Sequence, residues 1–176
     1  MFESIKQLLP KYPHIRSDFF VTGMLLHNAC LRKKIAHWRF KFMGEGAKID
    51  ARVNIQFANN ISLGKKVKIQ NGSYLMAGPT EEMTIDIDDY TLLGGNVHIF
   101  TSIYNVDKDL KDYIRNYPPR VGPVKIGKGV FIGWNSIILP GVKIGDEAII
   151  KPFSVVGSHV AAKTLFVPKK KNILER

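Results

Sequence analysis

Apolar residues return every six positions through the second half of the chain. Ile126, Ile132, Ile138, Ile144, Ile150 and Val156 are evenly spaced, and two places before each stand Val124, Val130, Ser136, Val142, Ala148 and Ser154, all small or β-branched. Gly127, Gly133, Gly145 and Gly157 directly follow four of the six aliphatic residues. Neither an amphipathic helix nor a strand with one wet face generates that spacing, because their periods are 3.6 and 2. It is the period of a parallel β-helix, in which each unit supplies one short flat strand and one tight corner. The aliphatic side chain points inward and stacks on its equivalent one coil away. The small residue lets the chain turn, and glycine relieves strain at the corner. Three units close one triangular coil.

The same pattern runs upstream with slips. Val53 and Ile55 return as Val67 and Ile69, then Ile85 and Ile87, Thr91 and Leu93, and Val97 and Ile99. The spacing breaks around Asn59–Ser62 and Pro79–Met83, which predicts small excursions at corners. Together these stretches predict an all-β solenoid of about five coils over residues 47–163, rather than a sandwich with period-two alternation. One polar insertion, residues 100–123, interrupts it. A long non-repeating loop inside a regular solenoid points to function.

Residues 1–46 follow a different period. Val21, Met24, Asn28, Leu31, Ile35, Trp38 and Phe42 advance by three or four and mark one face of a helix, with Asp18 as its N-cap and Gly44 and Gly46 as its stop. No acid stands between Asp18 and Glu45, while Arg32, Lys33, Lys34, Arg39 and Lys41 crowd the second half. Two readings stay open: a solvated basic face whose apolar stripe packs on the solenoid, or a surface helix leaning on an anionic membrane. Residues 164–176 read as a basic C-terminal tail.

Composition narrows the partners. The 176 residues are 45% hydrophobic, enough for a core, and carry 26 Lys plus Arg against 15 Asp plus Glu, a net charge of +11. The excess favours an anionic partner, whether nucleotide, phosphate, acidic glycan or lipid surface. No helix-turn-helix, zinc or base-stacking motif accompanies the charge, so nucleic acid is not the expected partner. The single cysteine, Cys30, excludes a disulfide framework, and His98 and His159 are too few for a three-histidine zinc site, so no metal is expected. No apolar run is long enough to span a bilayer, and Met1 to Pro13 lacks the pattern of a signal peptide. A soluble, cytoplasmic protein is the expectation.

The run from Val124 through Ile132-Gly133-Trp134-Asn135-Ser136 and Pro140-Gly141-Val142 to Asp146 resembles the hexapeptide-repeat acyltransferases. The resemblance covers roughly residues 47–168. It lies in the maltose/galactoside O-acetyltransferase branch, near its capsule and lipopolysaccharide relatives. It implies a left-handed β-helix and a homotrimer with an active site at each cleft between neighbouring subunits. It also implies acetyl-CoA as donor and, as acceptor, a sugar hydroxyl of a surface polysaccharide or its precursor.

That chemistry requires a base, because a sugar hydroxyl is a poor nucleophile, and a backbone N–H to hold the developing oxyanion. The branch places a histidine early in the inserted loop, in a stretch like Tyr-Thr-x-x-His. Here Thr101-Ser102-Ile103-Tyr104 puts Tyr104 at that place. A phenol keeps its proton at neutral pH and is a weak base. Three readings follow: His98, just before the inward Ile99, is the base and faces the cleft; Tyr104 orients the acceptor; or the protein is a catalytically impaired relative, a glycan-binding or scaffolding module. By position, Gly133, Trp134, Ser136 and the Lys151-Pro152 corner would border the pantetheine arm of the donor. The family's Thr-Lys pair becomes Gly157-Ser158, and Lys163, Lys169, Lys170 and Lys171 are candidates for the coenzyme's phosphates.

Overall fold

The structure is a computed structural model that describes residues 40–104 and 118–168. Short strands stack into three parallel sheets. The first contains β1 (Phe42–Met43), β4 (Ile61–Leu63), β7 (Ile85–Ile87), β12 (Val124–Ile126) and β15 (Lys143–Ile144). The second contains β2 (Lys48–Ile49), β5 (Lys68–Ile69), β8 (Leu92–Leu93), β13 (Phe131–Ile132), β16 (Ile149–Ile150) and β18 (Leu165–Phe166). The third contains β3 (Asn54–Gln56), β6 (Tyr74–Met76), β9 (His98–Phe100), β14 (Ile137–Ile138) and β17 (Val155–Val156). The chain visits first, second and third sheet in rotation, five times over. A sixth turn begins with the Val160–Ile144 bridge and ends in β18. This is the solenoid of about five coils that the period predicts.

The six-residue repeat works as expected. In the second sheet Ile49, Ile69, Leu93, Ile132, Ile150 and Phe166 stack in register, and in the third Ile55, Leu75, Ile99, Ile138 and Val156 do so. Leu93, Ile99, Ile132, Ile138, Ile150 and Val156 are fully buried, each contributing about 1.5–3 kcal/mol of burial. Glycine after the aliphatic residue has a different cause from the one its position suggests. A Cβ on Gly133 would sit 2.4 Å from the Pro152 nitrogen, and one on Gly145 would sit 2.4 Å from the Ala162 nitrogen. Neither has positive φ. Close approach of the next coil's backbone excludes a side chain there, and the left-handed corner residues are others, such as Tyr90, Asn96 and Asn135.

The buried hydroxyls of Ser73, Thr91, Ser136 and Ser154 are paired with backbone carbonyls. The Thr91 hydroxyl donates to the Gly127 carbonyl at 2.8 Å and accepts from the Val130 N–H at 3.1 Å. Thr91→Val strips both partners from buried backbone groups, so we expect a loss of about 1–3 kcal/mol, read from the urea midpoint.

The register steps explain the upstream slips. Along the first sheet Phe42 pairs with Ser62, Ser62 with Asp86, Asp86 with Lys125, and Lys125 with Lys143: steps of 20, 24, 39 and 18 residues. The extra residues gather at one corner, between the third and first sheets. They form the 3-10 turn Ala58–Asn60, residues 77–83, and the long insertion. The Asn60 side-chain amide donates to the carbonyls of Gly78 (2.7 Å) and Thr80 (3.2 Å). Buried Thr101 donates through both its N–H (3.1 Å) and its hydroxyl (3.0 Å) to the Met76 carbonyl. The excursions are thereby bonded into one ridge. The insertion is not wholly irregular at its base, where β10 (Ser102–Ile103) pairs antiparallel with β11 (Arg120–Val121). Residues 105–117 lie outside the described residues.

Two boundaries move. The helix expected through residue 46 yields to β1 at Phe42–Met43. Phe40 is buried in the core, and the Lys41 N–H donates to the carbonyls of Ala58 and Ile61, so the chain has already joined the first coil. The remainder of that segment, residues 1–39, lies outside the described residues. At the other end Leu165–Phe166 completes the second sheet, with Phe166 packed on the core, where a tail was expected from residue 164. Residues 169–176, with Lys169 and Lys170, are not among those described.

Candidate functional site

The third sheet carries the candidate residues His98 and Trp134 along its outer face and entry edge. Strand alternation sends Ile99 inward and His98 and Phe100 outward. Register places Tyr74 directly against His98 on one side and Ile137 on the other, with Met76 against Phe100. The rings of Tyr74, His98 and Phe100 meet edge to face: Tyr74–His98 at 6.2 Å, and Phe100 at 6.0 Å from each. All three are half-buried. Among the described residues the His98 imidazole makes no hydrogen bond, so the two neighbouring rings hold it in place.

Tyr104 follows β10 at the root of the inserted loop and is 61% exposed. The outer face of the third sheet thus has His98 at its entry side and the loop root, with Tyr104, beyond its exit side. No described cation meets the Tyr104 ring or hydroxyl.

Along the entry edge of the same face, the corner Gly133–Trp134 stacks beneath the corner Lys151–Pro152, joined by the Phe153 N–H to the Trp134 carbonyl at 2.9 Å. Trp134 is 53% exposed yet lies on its own solenoid, one coil down: a Cβ on Gly94 would be 2.6 Å from its Cδ1, and one on Gly95 3.3 Å from its Cε3. The indole therefore depends on the Gly94-Gly95 pair, which leaves room for it. The Trp134 N–H has no hydrogen-bond partner among the described residues. Lys151 is exposed beside it.

The expected donor residues do not all come together. Ser136 is fully buried, with its hydroxyl donating to the Lys151 carbonyl (3.2 Å) and accepting from the Ser154 N–H (3.4 Å). It shapes the corner from inside the tube, and its side chain cannot border a ligand. Gly133 is buried too, and its N–H is taken by the Ile150 carbonyl. Exposed Ser158 lies on the opposite edge of the third sheet, after β17, a face's width from Trp134 in the same chain. A separate groove of about 840 Å³ runs over the first sheet, bounded by Ser62, Asp86, Lys125, Lys143 and His159. None of the expected site residues line it. There the His159 Nδ1 accepts the Lys143 N–H at 3.1 Å.

Comparison with known proteins places this architecture. Residues 123–158 match the family described as bacterial transferase hexapeptide (six repeats). The chain is 31% identical over 152 residues to the dTDP-4-amino-4,6-dideoxy-D-glucose acyltransferase of Escherichia coli, covering 73% of this chain and 78% of that protein. It is 27% identical over 129 residues to the galactoside O-acetyltransferase of Escherichia coli K12, covering 73% of this chain and 60% of that protein. A solved galactoside acetyltransferase in complex with coenzyme A superposes with a TM-score of 0.61 at 25% identity, over 74% of this chain and 62% of that one. The chain thus spans about three fifths of the galactoside enzyme's length.

Proposed function

This chain belongs to the hexapeptide-repeat transferase family, and on that premise we propose that it transfers an acetyl group from acetyl-CoA to a hydroxyl of a sugar. The observation that carries the reading is His98, an imidazole without a hydrogen bond among the described residues, on the face that links the proposed donor corner at Trp134 to the loop root at Tyr104. In the proposed reaction His98 takes the proton of the hydroxyl as its oxygen attacks the thioester carbonyl. The tetrahedral oxyanion rests on a backbone N–H, for which the main-chain N–H of Trp134, unpartnered among the described residues, is the candidate. Collapse breaks the carbon–sulfur bond, and the imidazolium returns its proton to the leaving thiolate. Tyr104 orients the acceptor, with the inserted loop as the wall. Lys151, Lys169 and Lys170 meet the coenzyme's phosphates as point charges.

Three finer statements go with this reading. The acceptor belongs to a surface polysaccharide or its precursor, and the enzyme works in the cytoplasm, where acetyl-CoA is made, with its basic N-terminal segment near the anionic inner leaflet. The working unit is a homotrimer. Support for the trimer comes from two unlike apolar columns left outside the tube, Phe131, Ile149 and Leu165 on the second sheet, and Ile137 and Val155 on the third. Ile149, Leu165 and Val155 are 46%, 54% and 57% exposed. Two different patches on one chain suit a head-to-tail contact, and such a contact closes into a ring where the rotation between copies allows it. A neighbour's Ser158 edge would then complete the donor cleft that one chain leaves open.

Calorimetry with coenzyme A, and thiol release from acetyl-CoA in the presence of methyl glycosides, test the function. Binding with acceptor-dependent release is expected. Absence of both binding and release would point to the second reading, a glycan-binding or scaffolding β-helix, which Tyr104 at the place where the resemblance implies a histidine favours. Half-exposed Trp134 at the donor corner provides a direct signal: coenzyme A is expected to change its fluorescence, and Trp134→Phe to abolish that component.

A further inference from the structure

The outer face of the third sheet carries more aromatic surface than proton transfer requires. One ring could hold His98 in place, yet Tyr74 and Phe100 both do, and Met76 lies in register with Phe100. The three rings sit mutually perpendicular at 6.0–6.2 Å, so they form a faceted, half-exposed floor and not a closed stack. Its place is specific. His98 begins β9 just after the corner of Gly94 and Gly95 on which the Trp134 indole lies, and Phe100 ends β9 one residue before Thr101, which anchors the inserted loop. The floor therefore crosses the whole width of the face between the proposed donor corner and the proposed acceptor wall.

From this placement we infer that Tyr74, His98 and Phe100 form the acceptor floor. The floor selects a pyranose ring that lays an apolar C–H face on one of these rings, Phe100, against the edges of the others, and turns one hydroxyl toward the His98 imidazole. The chemical reason is complementarity. A pyranose carries hydroxyls around its rim and aliphatic C–H bonds on its faces, and those C–H bonds, slightly positive, rest well on the electron-rich face of an aromatic ring. An open-chain polyol or an amino acid offers no such flat apolar face. The rigid floor costs little entropy on binding, because its rings are already wedged against one another. It rests on the proposed transfer to a sugar and adds to it which residues hold the ring.

The test uses the full chain with methyl β-D-galactopyranoside, methyl α-D-glucopyranoside and methyl α-L-fucopyranoside, observed by saturation-transfer NMR, with coenzyme A titrated in parallel. Saturation concentrated on the C–H protons of one sugar face is expected for at least one glycoside. Phe100→Ala should weaken that glycoside by about 5- to 10-fold, Phe100→Leu should weaken it similarly, and Phe100→Trp should hold or tighten it. Coenzyme A affinity should stay within about twofold in all three. Phe100→Leu keeps apolar bulk without a ring, so loss of binding there cannot be ascribed to unfolding. The inference is overturned if none of the glycosides binds the native chain, or if Phe100→Leu binds as well as the native chain does. Coenzyme A binding with thiol release but no glycoside contact to the rings leaves the transferase standing without this floor. Glycoside stacking without coenzyme A binding leaves the floor standing and removes the transferase.

Discussion

His98→Ala is expected to lower kcat by about 10²–10⁴-fold, the usual contribution of a positioned general base, equivalent to about 2.7–5.4 kcal/mol of barrier. Coenzyme A affinity should hardly move, since the imidazole lies on the face and the proposed donor residues lie on its edge. The fold should hold as well, because His98 is only half-buried and its neighbour Ile99 carries the packing. A second change sharpens the result. Tyr104→His in the His98→Ala chain puts an imidazole at the root of the inserted loop, where the sequence resemblance implies one, and is expected to recover at least tenfold of the lost rate. Should His98→Ala turn over normally while Tyr104→Phe is dead, the base is Tyr104 and the assignment to His98 fails. Steady-state kinetics with acetyl-CoA and the best methyl glycoside decides between them.

Ile132→Ala is expected to cost about 2–5 kcal/mol, a large share of the stability of an ordinary domain. Ile132 is fully buried between Leu93 and Ile150 in the second-sheet column. The cavity left behind cannot close, because coils on either side are held at strand spacing by their own ladders. In a solenoid each coil touches only its neighbours, so the position along the tube should matter. Phe166→Ala, in the last described strand, removes a partly exposed ring with a described neighbour on one side only, and should cost about half as much or less. Urea titration of both variants gives the comparison. Equal losses would show that the inward residues do not stabilise the tube coil by coil.

How much of this could be read in advance depends on the coil. In the fourth and fifth coils the step is an unbroken 18 residues, as between Lys125 and Lys143, so spacing alone identifies every inward side chain from Val124 to Val156. In the earlier coils the pairs of apolar residues were legible but their partners were not. Tyr74 faces His98 because residues 77–83 add six to the step, and nothing in the local sequence says that those residues form a corner excursion and not a change of face. The aromatic floor was invisible for that reason. Trp134 was legible as unusual, but its seat on Gly94 and Gly95 crosses a step of 39 residues. Ser136 was expected at the donor corner, but the small residue of each repeat proves to point inward, and its hydroxyl is spent on the Lys151 carbonyl inside the tube. Phe42 continued a helical stripe by spacing, yet backbone pairing with Ser62 claimed it for a strand, since a long-range ladder outweighs a local period.

By itself the sequence determined the tube: a six-residue period can satisfy burial only if every inward residue lands on another, and that forces three flat faces and a continuous apolar axis. It also marked the insertion as the place where the repeat yields to something else. Only the tertiary structure decided which outward residues become neighbours. That choice depends on the register between coils, which is set by how many residues bulge at the corner between the third and first sheets, and on the hydrogen bonds of Asn60 and Thr101 that bind those bulges together. A site on the outside of a solenoid is assembled across coils, so its residues are brought together by those steps and not by their spacing along the chain.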